Sequence, residues 1–239
     1  MDEKKRGAAN GEESACAVCP FGNGKRICRT QGGEGSQYPK SCATVNGTET
    51  LSQAFSEYTG DEELHRFALQ AAVQEGSGYG DVDGVPGMKK PTKTRIEEVM
   101  EFCKRMGYQK LGLAFCGGLH SEAAILNKIL TAHGFQVVSA VCKVGGVDKT
   151  ELGIEEADKI WPGKAESICN PIAQAMILNE AGTEFNLVLG LCVGHDSMFF
   201  KYSEAMCTVI AVKDRLMAHN PLGAIYSGYY KYLLETPEN

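Results

Sequence analysis

The chain has 239 residues, 43% hydrophobic and 23% charged, with a formal net charge of −6. That is enough for one large or two small domains with a proper core, and it disfavours a sequence-independent grip on nucleic acid, which needs a basic surface. No apolar run approaches the ~20 residues of a membrane span, and the polar start from Met1 to Ser14 carries no apolar signal core; a cytoplasmic protein with no membrane partner is expected.

Residues 1–14 read as a disordered lead-in. Residues 15–58 form a cysteine-rich stretch: Cys16-x2-Cys19-Pro20, then Cys28 and Cys42, separated by turn formers such as Gly22-Asn23-Gly24 and Gly32-Gly33-Glu34-Gly35. No helix or strand period runs through those turns. So short and loop-rich a stretch buries too little apolar surface to order itself. Four thiolates on one metal centre would supply the missing free energy, and in a reducing compartment clustered cysteines signal metal or catalysis rather than disulfides. Cys16, Cys19, Cys28 and Cys42 are therefore the candidate ligands of one site, against the alternative of four unlinked thiols in a floppy arm. Only the first pair has knuckle spacing, which zinc normally repeats. Iron–sulfur ligation tolerates irregular spacing, so a cluster is favoured over Zn2+.

Residues 59–108 read as a helical region. Thr59 and Glu62 have capping-box spacing before the apolar stripe Leu64, Phe67, Ala68, Ala71 and Ala72. A glycine-rich link, residues 76–91, leads to a second box at Thr94 and Glu97 and a helix closed by Gly107. Cys103 lies on that helix's apolar face and reads as a core residue.

From residue 109 the pattern is strand and helix in alternation. The strands are Leu111 to Phe115, Phe135 to Val141, Phe185 to Leu189 and Cys207 to Val212; helices run from Leu119 to His133, from Asn170-Pro171 to Glu180, from Ser197 and from Pro221 to Leu234. The expected fold is α/β: a mostly parallel four-stranded sheet of Rossmann or flavodoxin-like order, helices on both faces, preceded by the small cysteine-rich metal-binding module. A long connection, Val147 to Ile168, carries the single tryptophan, Trp161. Connections of that length are often lids or binding loops.

Parallel strands put their C-terminal ends on one edge. Cys116, Cys142 and Cys192 end three strands, and Cys169 precedes a helix on the same edge. Helix starts favour negative charge, so thiolates form more readily there. Three readings follow: a second metal or cluster site built from Cys116, Cys142, Cys169 and Cys192 with His195 nearby; catalysis by one thiol; or small apolar residues at strand ends. For catalysis, Gly190-x-Cys192-x-Gly194 has the layout of a nucleophile elbow, with His195 or His219 as base and Asp196 or Asp214 as orienter. Lys213, Arg215 and His219 suit an anionic ligand, or a solvated turn in which their charges pair.

Several of these motifs together resemble a known family. They are Cys16-x2-Cys19 with Cys28 and Cys42, Arg95-Ile96-Glu97-Glu98, Gly112 to Cys116, Val137 to Gly145, Cys169-Asn170-Pro171-Ile172-Ala173-Gln174-Ala175, Gly190 to Asp196, Lys213-Asp214-Arg215 and His219-Asn220-Pro221. The chain is similar, over nearly everything after its first 15 residues, to an uncharacterised prokaryotic family, domain of unknown function 1847, usually described as metal-binding. The resemblance implies metal at the four N-terminal cysteines and implies no reaction.

The function expected is a metal-binding protein, with redox or sulfur handling as its activity, acting on a small-molecule substrate or an electron-transfer partner. The alternatives are a cysteine hydrolase or transferase that uses Cys192 beside a structural zinc, and a non-catalytic, metal-dependent binding protein.

Overall fold

The computed structural model describes residues 13–236; most of the lead-in expected at residues 1–14 lies outside them. The chain divides into two compact units, the first ending at Leu69 and the second beginning at Gln70.

In the first unit a single 3-10 turn (Cys16–Val18) and two one-turn helices, α1 (Ile27–Thr30) and α2 (Ala43–Asn46), precede a longer helix, α3 (Thr48–Gly60). The capping box expected at Thr59 does not form. Thr59 lies in the last turn of α3 and donates its hydroxyl back to the Phe55 and Ser56 carbonyls at 3.4 and 3.3 Å. Asp61 caps the next helix, α4 (Glu62–Ser77), by accepting the Leu64 N–H at 2.6 Å. A threonine inside a helix bonds its own preceding turn, whereas Asp outside it reaches the free N–H groups of the next.

In the second unit the glycine-rich link contains a small antiparallel hairpin, β1 (Tyr79–Asp81) with β2 (Lys89–Pro91). α5 (Arg95–Met106) starts at the expected capping box, with Thr94 and Glu97 bonded reciprocally, and ends on Gly107 at φ 76°. Then come β3 (Lys110–Phe115), α6 (His120–Ala132), β4 (Gln136–Val141), α7 (Pro171–Glu180), β5 (Phe185–Leu189), α8 (His195–Tyr202) and β6 (Cys207–Ala211). The last helix, expected to be continuous, is two: α9 (Leu222–Tyr226) and α10 (Gly228–Glu235). Ser227 between them is extended, and its side chain accepts the Tyr230 N–H, so it starts a new helix instead of continuing the old one.

The four core strands are parallel, in the order β4-β3-β5-β6. In order along the chain this is second, first, third, fourth, as in flavodoxin-like sheets. The register settles which helix covers which face. Leu111 stands opposite Phe185 and Leu113 opposite Leu187, so these four share one face. Phe102 of α5 meets Phe185 there at 5.5 Å between ring centroids, and Ala123 of α6 lines one small hollow with Leu113 and Phe115. On the other face Ala114 and Val188 are buried with Ala175 and Leu178 of α7 and Phe199 of α8. Gly112 is needed on this side: a Cβ there would stand 1.9 Å from the Asn186 Oδ1 and 2.8 Å from the Leu178 Cδ1. Each fully buried Leu or Phe contributes roughly 1.5–3 kcal/mol. The crossovers from β3 and from β4 run in opposite directions, which puts the topological switch point between the C-terminal ends of β3 and β5. Among the described residues no helix is long and apolar enough to cross a membrane.

Candidate functional site: a thiol rim at the switch point

Cys116 follows β3 and Cys142 follows β4, one step beyond the last ladder pair, Phe115 with Val141. The Cys142 N–H donates to the Phe115 carbonyl at 2.8 Å, which continues the ladder into the cysteines. Cys169 comes from the start of α7. Asn170 caps that helix by accepting the Ala173 N–H at 3.0 Å, and its own N–H donates to the Cys142 carbonyl at 2.7 Å. Three sulfurs far apart in sequence are therefore neighbours: the Cys142 N–H bond to Phe115 sets it beside Cys116, the Asn170 bond to the Cys142 carbonyl sets it beside Cys169, and the Cys142 thiol proton acts on both. Cys142 is buried and the outer two are partly buried.

The electrostatics follow from that sharing. The Cys142 proton holds Cys116 well below the ordinary thiol range, helped by the Gly118 N–H and the Lys213 ammonium against the opposing effect of burial. Cys169 is lowered in the same way, first by Cys142 and then by Lys143 and His195. Cys142 itself is pushed far up, because its proton serves two neighbouring thiolates, while the Gly117 N–H donates to its sulfur at 3.3 Å. Cys116 and Cys169, each with an ammonium group beside it, are favoured as thiolates, the nucleophilic form, while Cys142 is held as the thiol.

Gln174 of α7 was given no role by the sequence. It is wholly buried, and its Nε2 donates to the Phe115 carbonyl at 3.2 Å and the Ala140 carbonyl at 2.6 Å. One side chain thus ties the ends of β3 and β4 to the helix that carries Cys169. Its Oε1 is buried without a hydrogen-bond partner among the described residues. The sequence signal is a polar residue, one turn after Asn170, inside the otherwise apolar run from Pro171 to Leu178.

Cys192 has a different partner. The turn after β5 has positive φ at Gly190 (67°) and Gly194 (82°), which glycine adopts without strain, whereas Cys192 itself is not among the described residues with positive φ. Gly190 is obligatory twice over, since a Cβ would also lie 2.1 Å from the Leu119 Cδ1. The Cys192 sulfur accepts a hydrogen bond from the Arg215 Nη2 at 3.2 Å. Asp196 turns its Oδ1 to the Ser197 N–H at 2.8 Å, and the His195 Nδ1 is buried without a hydrogen-bond partner among the described residues. His195 acts electrostatically on Cys169. The second candidate pair closes a local turn instead: Asp214 accepts the Leu216 and Met217 N–H groups, and its own N–H donates to the His219 Nδ1 at 3.2 Å.

The long connection after β4 is stapled at its base, with the Ile168 N–H on the Val147 carbonyl at 2.8 Å. Ion pairs of Lys149 with Glu166 and of Lys159 with Asp148 and Glu156 hold its interior. Trp161 is 62% exposed, with the Lys164 ammonium over its ring.

In the first unit Cys16, Cys19, Cys28 and Cys42 all line one cavity of about 100 Å³, together with Arg26 and Gln37. The donor set is of the right kind and number for a soft metal. Among the described residues, however, no group of three or more His, Cys, Asp or Glu side chains stands in the mutual arrangement that would hold a metal ion. Cys103 and Cys207 are core sulfurs, and burial pushes the former up to about 12.

Fold and site together define a three-layer α/β protein with a thiol rim at the C-terminal edge of its sheet, beside the switch point. The chain belongs to the family described as "Protein of unknown function (DUF1847)", whose model matches residues 42–210. Cys42 and the four rim cysteines fall within the match, whereas Cys16, Cys19, Cys28 and Arg215 fall outside it. An uncharacterised protein of Methanocaldococcus jannaschii is 55% identical over 144 residues, covering 60% of this chain and 72% of that protein.

Proposed function

We propose that this is a redox or sulfur-handling protein whose working centre is the rim trio Cys116, Cys142 and Cys169, with Cys16, Cys19, Cys28 and Cys42 as a separate metal site. The single observation that carries this reading is the meeting of three sulfurs at the C-terminal edge of the parallel sheet, beside the switch point, the edge where ligands of such sheets bind. Thiolate character is the currency of sulfur chemistry, because the thiolate is the attacking species. Lys213 and Lys143 stabilise negative sulfur on either side. Cys192, under the Arg215 guanidinium, lies in the neighbouring turn and serves as an auxiliary thiol.

For the N-terminal site, four soft donors on one cavity suit an iron–sulfur cluster or Zn2+. A water needs only ~10–15 Å³, so a cavity of about 100 Å³ suits a multi-atom cluster better than a single ion. Such a group would hold the loops together and, as a cluster, supply or accept single electrons.

The test is site-resolved alkylation of anaerobically purified protein near pH 6, with iron, zinc and acid-labile sulfide measured on the same sample. Cys116 and Cys169 should label far ahead of Cys103 and Cys207, and metal should be lost from the Cys16→Ser and Cys28→Ser variants. Labelling of Cys116 and Cys169 as slow as that of Cys103 would remove the reactive centre from the rim.

A further inference from the structure

The rim sulfurs stand in a definite order. Register and the Cys142 N–H bond to Phe115 put Cys116 and Cys142 side by side on neighbouring strands. Such strands lie ~4.8 Å apart, within the roughly 4.4–6.8 Å Cα separation at which a disulfide closes. Cys169 approaches Cys142 from its other side, fixed by the 2.7 Å bond from Asn170 to the Cys142 carbonyl. Gln174 locks the three carriers together. Cys142 is thus the shared neighbour of two outer sulfurs, buried while both outer ones keep some exposure. Each outer sulfur has its own ammonium group, Lys213 beside Cys116 and Lys143 beside Cys169. A simple dithiol couple needs two sulfurs and one such cation; this rim has the set twice, around a common centre.

We propose that the rim is a three-thiol relay that reduces disulfides, with Cys142 as the partner shared by Cys116 and Cys169. The proposal rests on the rim being the working centre and adds its substrate class. In the first step the Cys116 thiolate attacks a substrate R–S–S–R′, forming Cys116–S–S–R and expelling R′S⁻. Cys142 passes its proton to R′S⁻ and attacks the Cys116 sulfur, which expels RS⁻ and leaves a Cys116–Cys142 disulfide. Two electrons have gone from the protein pair to the substrate. The Cys169 thiolate then attacks the Cys142 sulfur. The bond becomes Cys142–Cys169 and Cys116 is again a thiolate, with no net change in oxidation state. A dithiol reductant returns the pair to its starting state by the reverse exchange. Attack on a disulfide proceeds by such mixed disulfides.

The experiment equilibrates the full-length, anaerobically purified protein with oxidised and reduced glutathione, quenches by alkylation and maps disulfides by mass spectrometry. The wild type should yield both Cys116–Cys142 and Cys142–Cys169 links. Cys116→Ser should keep only the second and Cys169→Ser only the first. Cys142→Ser should lose both and carry glutathione on the outer cysteines. A wild type with one link only, a Cys116–Cys169 link, or a link that survives Cys142→Ser would overturn the relay. The two single outer variants decide the matter even if Cys142→Ser folds poorly. Fast alkylation at Cys116 and Cys169 with no link at all would retain the reactive centre and remove the relay; slow alkylation would remove both.

Discussion

The cysteines near the start of the chain and those on the sheet rim are the same residue type held in two different ways. Cys16 and Cys28 are exposed and Cys19 is partly so, and their carriers are a 3-10 turn, a one-turn helix and loops. The rim sulfurs hang from a parallel ladder in register, a capped helix and the buried amide of Gln174. In the first place the sulfurs hang from short turns and loops tied by local backbone bonds. In the second, backbone hydrogen bonds fix their places in advance. The contrast teaches that what a group of thiols can do depends on the stiffness of its carriers more than on how many there are.

Removing metal should split the two regions most visibly. Structural metal sites of this size are worth on the order of 10 kcal/mol, so chelation should speed proteolytic cleavage within residues 16–46 by roughly tenfold or more. The unfolding midpoint read from Trp161, which lies in the sheet-bearing unit, should not move. Next in size is Gly190→Ala. The positive φ and the Leu119 contact should together cost about 3 kcal/mol in the same Trp161 transition, and metal content should stay intact. Gln174→Leu should be milder. It leaves the Phe115 and Ala140 carbonyls short of a donor, at about 1–3 kcal/mol for a buried polar group, and it also removes an Oε1 that had no partner. A loss near the lower end is expected, with a clear fall in Cys116 alkylation rate at pH 6 and unchanged labelling of Cys103. A fall in stability alone would make Gln174 an ordinary core residue.

Much of the sheet was legible because its signals are local. Apolar runs such as Leu111 to Phe115, closed by glycines and followed by a helix, fix strand and direction without reference to the rest of the chain. The four cysteines on one edge followed from parallel connectivity. Their division into a trio and a Cys192 with a different partner did not follow, because it depends on strand order and on where Asn170 and Arg215 reach. The helix break at Ser227 and the misplaced cap at Thr59 have one cause: a hydroxyl reads alike whether it bonds forward as a cap or backward into its own turn. The role of Gln174 was hidden for the opposite reason, since its partners are backbone carbonyls on two strands distant in sequence.

What matters most at the rim is whether its sulfurs act on one another. The most direct measurement is the pH–rate profile of alkylation at Cys116 in the wild type and in Cys142→Ala. The Cys142 proton is the largest cause of the lowered Cys116 value, so stabilisation of the thiolate persists below the ordinary thiol range and disappears with the donor. The wild-type rate should stay high as pH falls below that range, and the variant's profile should move up towards an ordinary thiol, with Lys213 holding back part of the shift. Superimposable profiles would contradict the account.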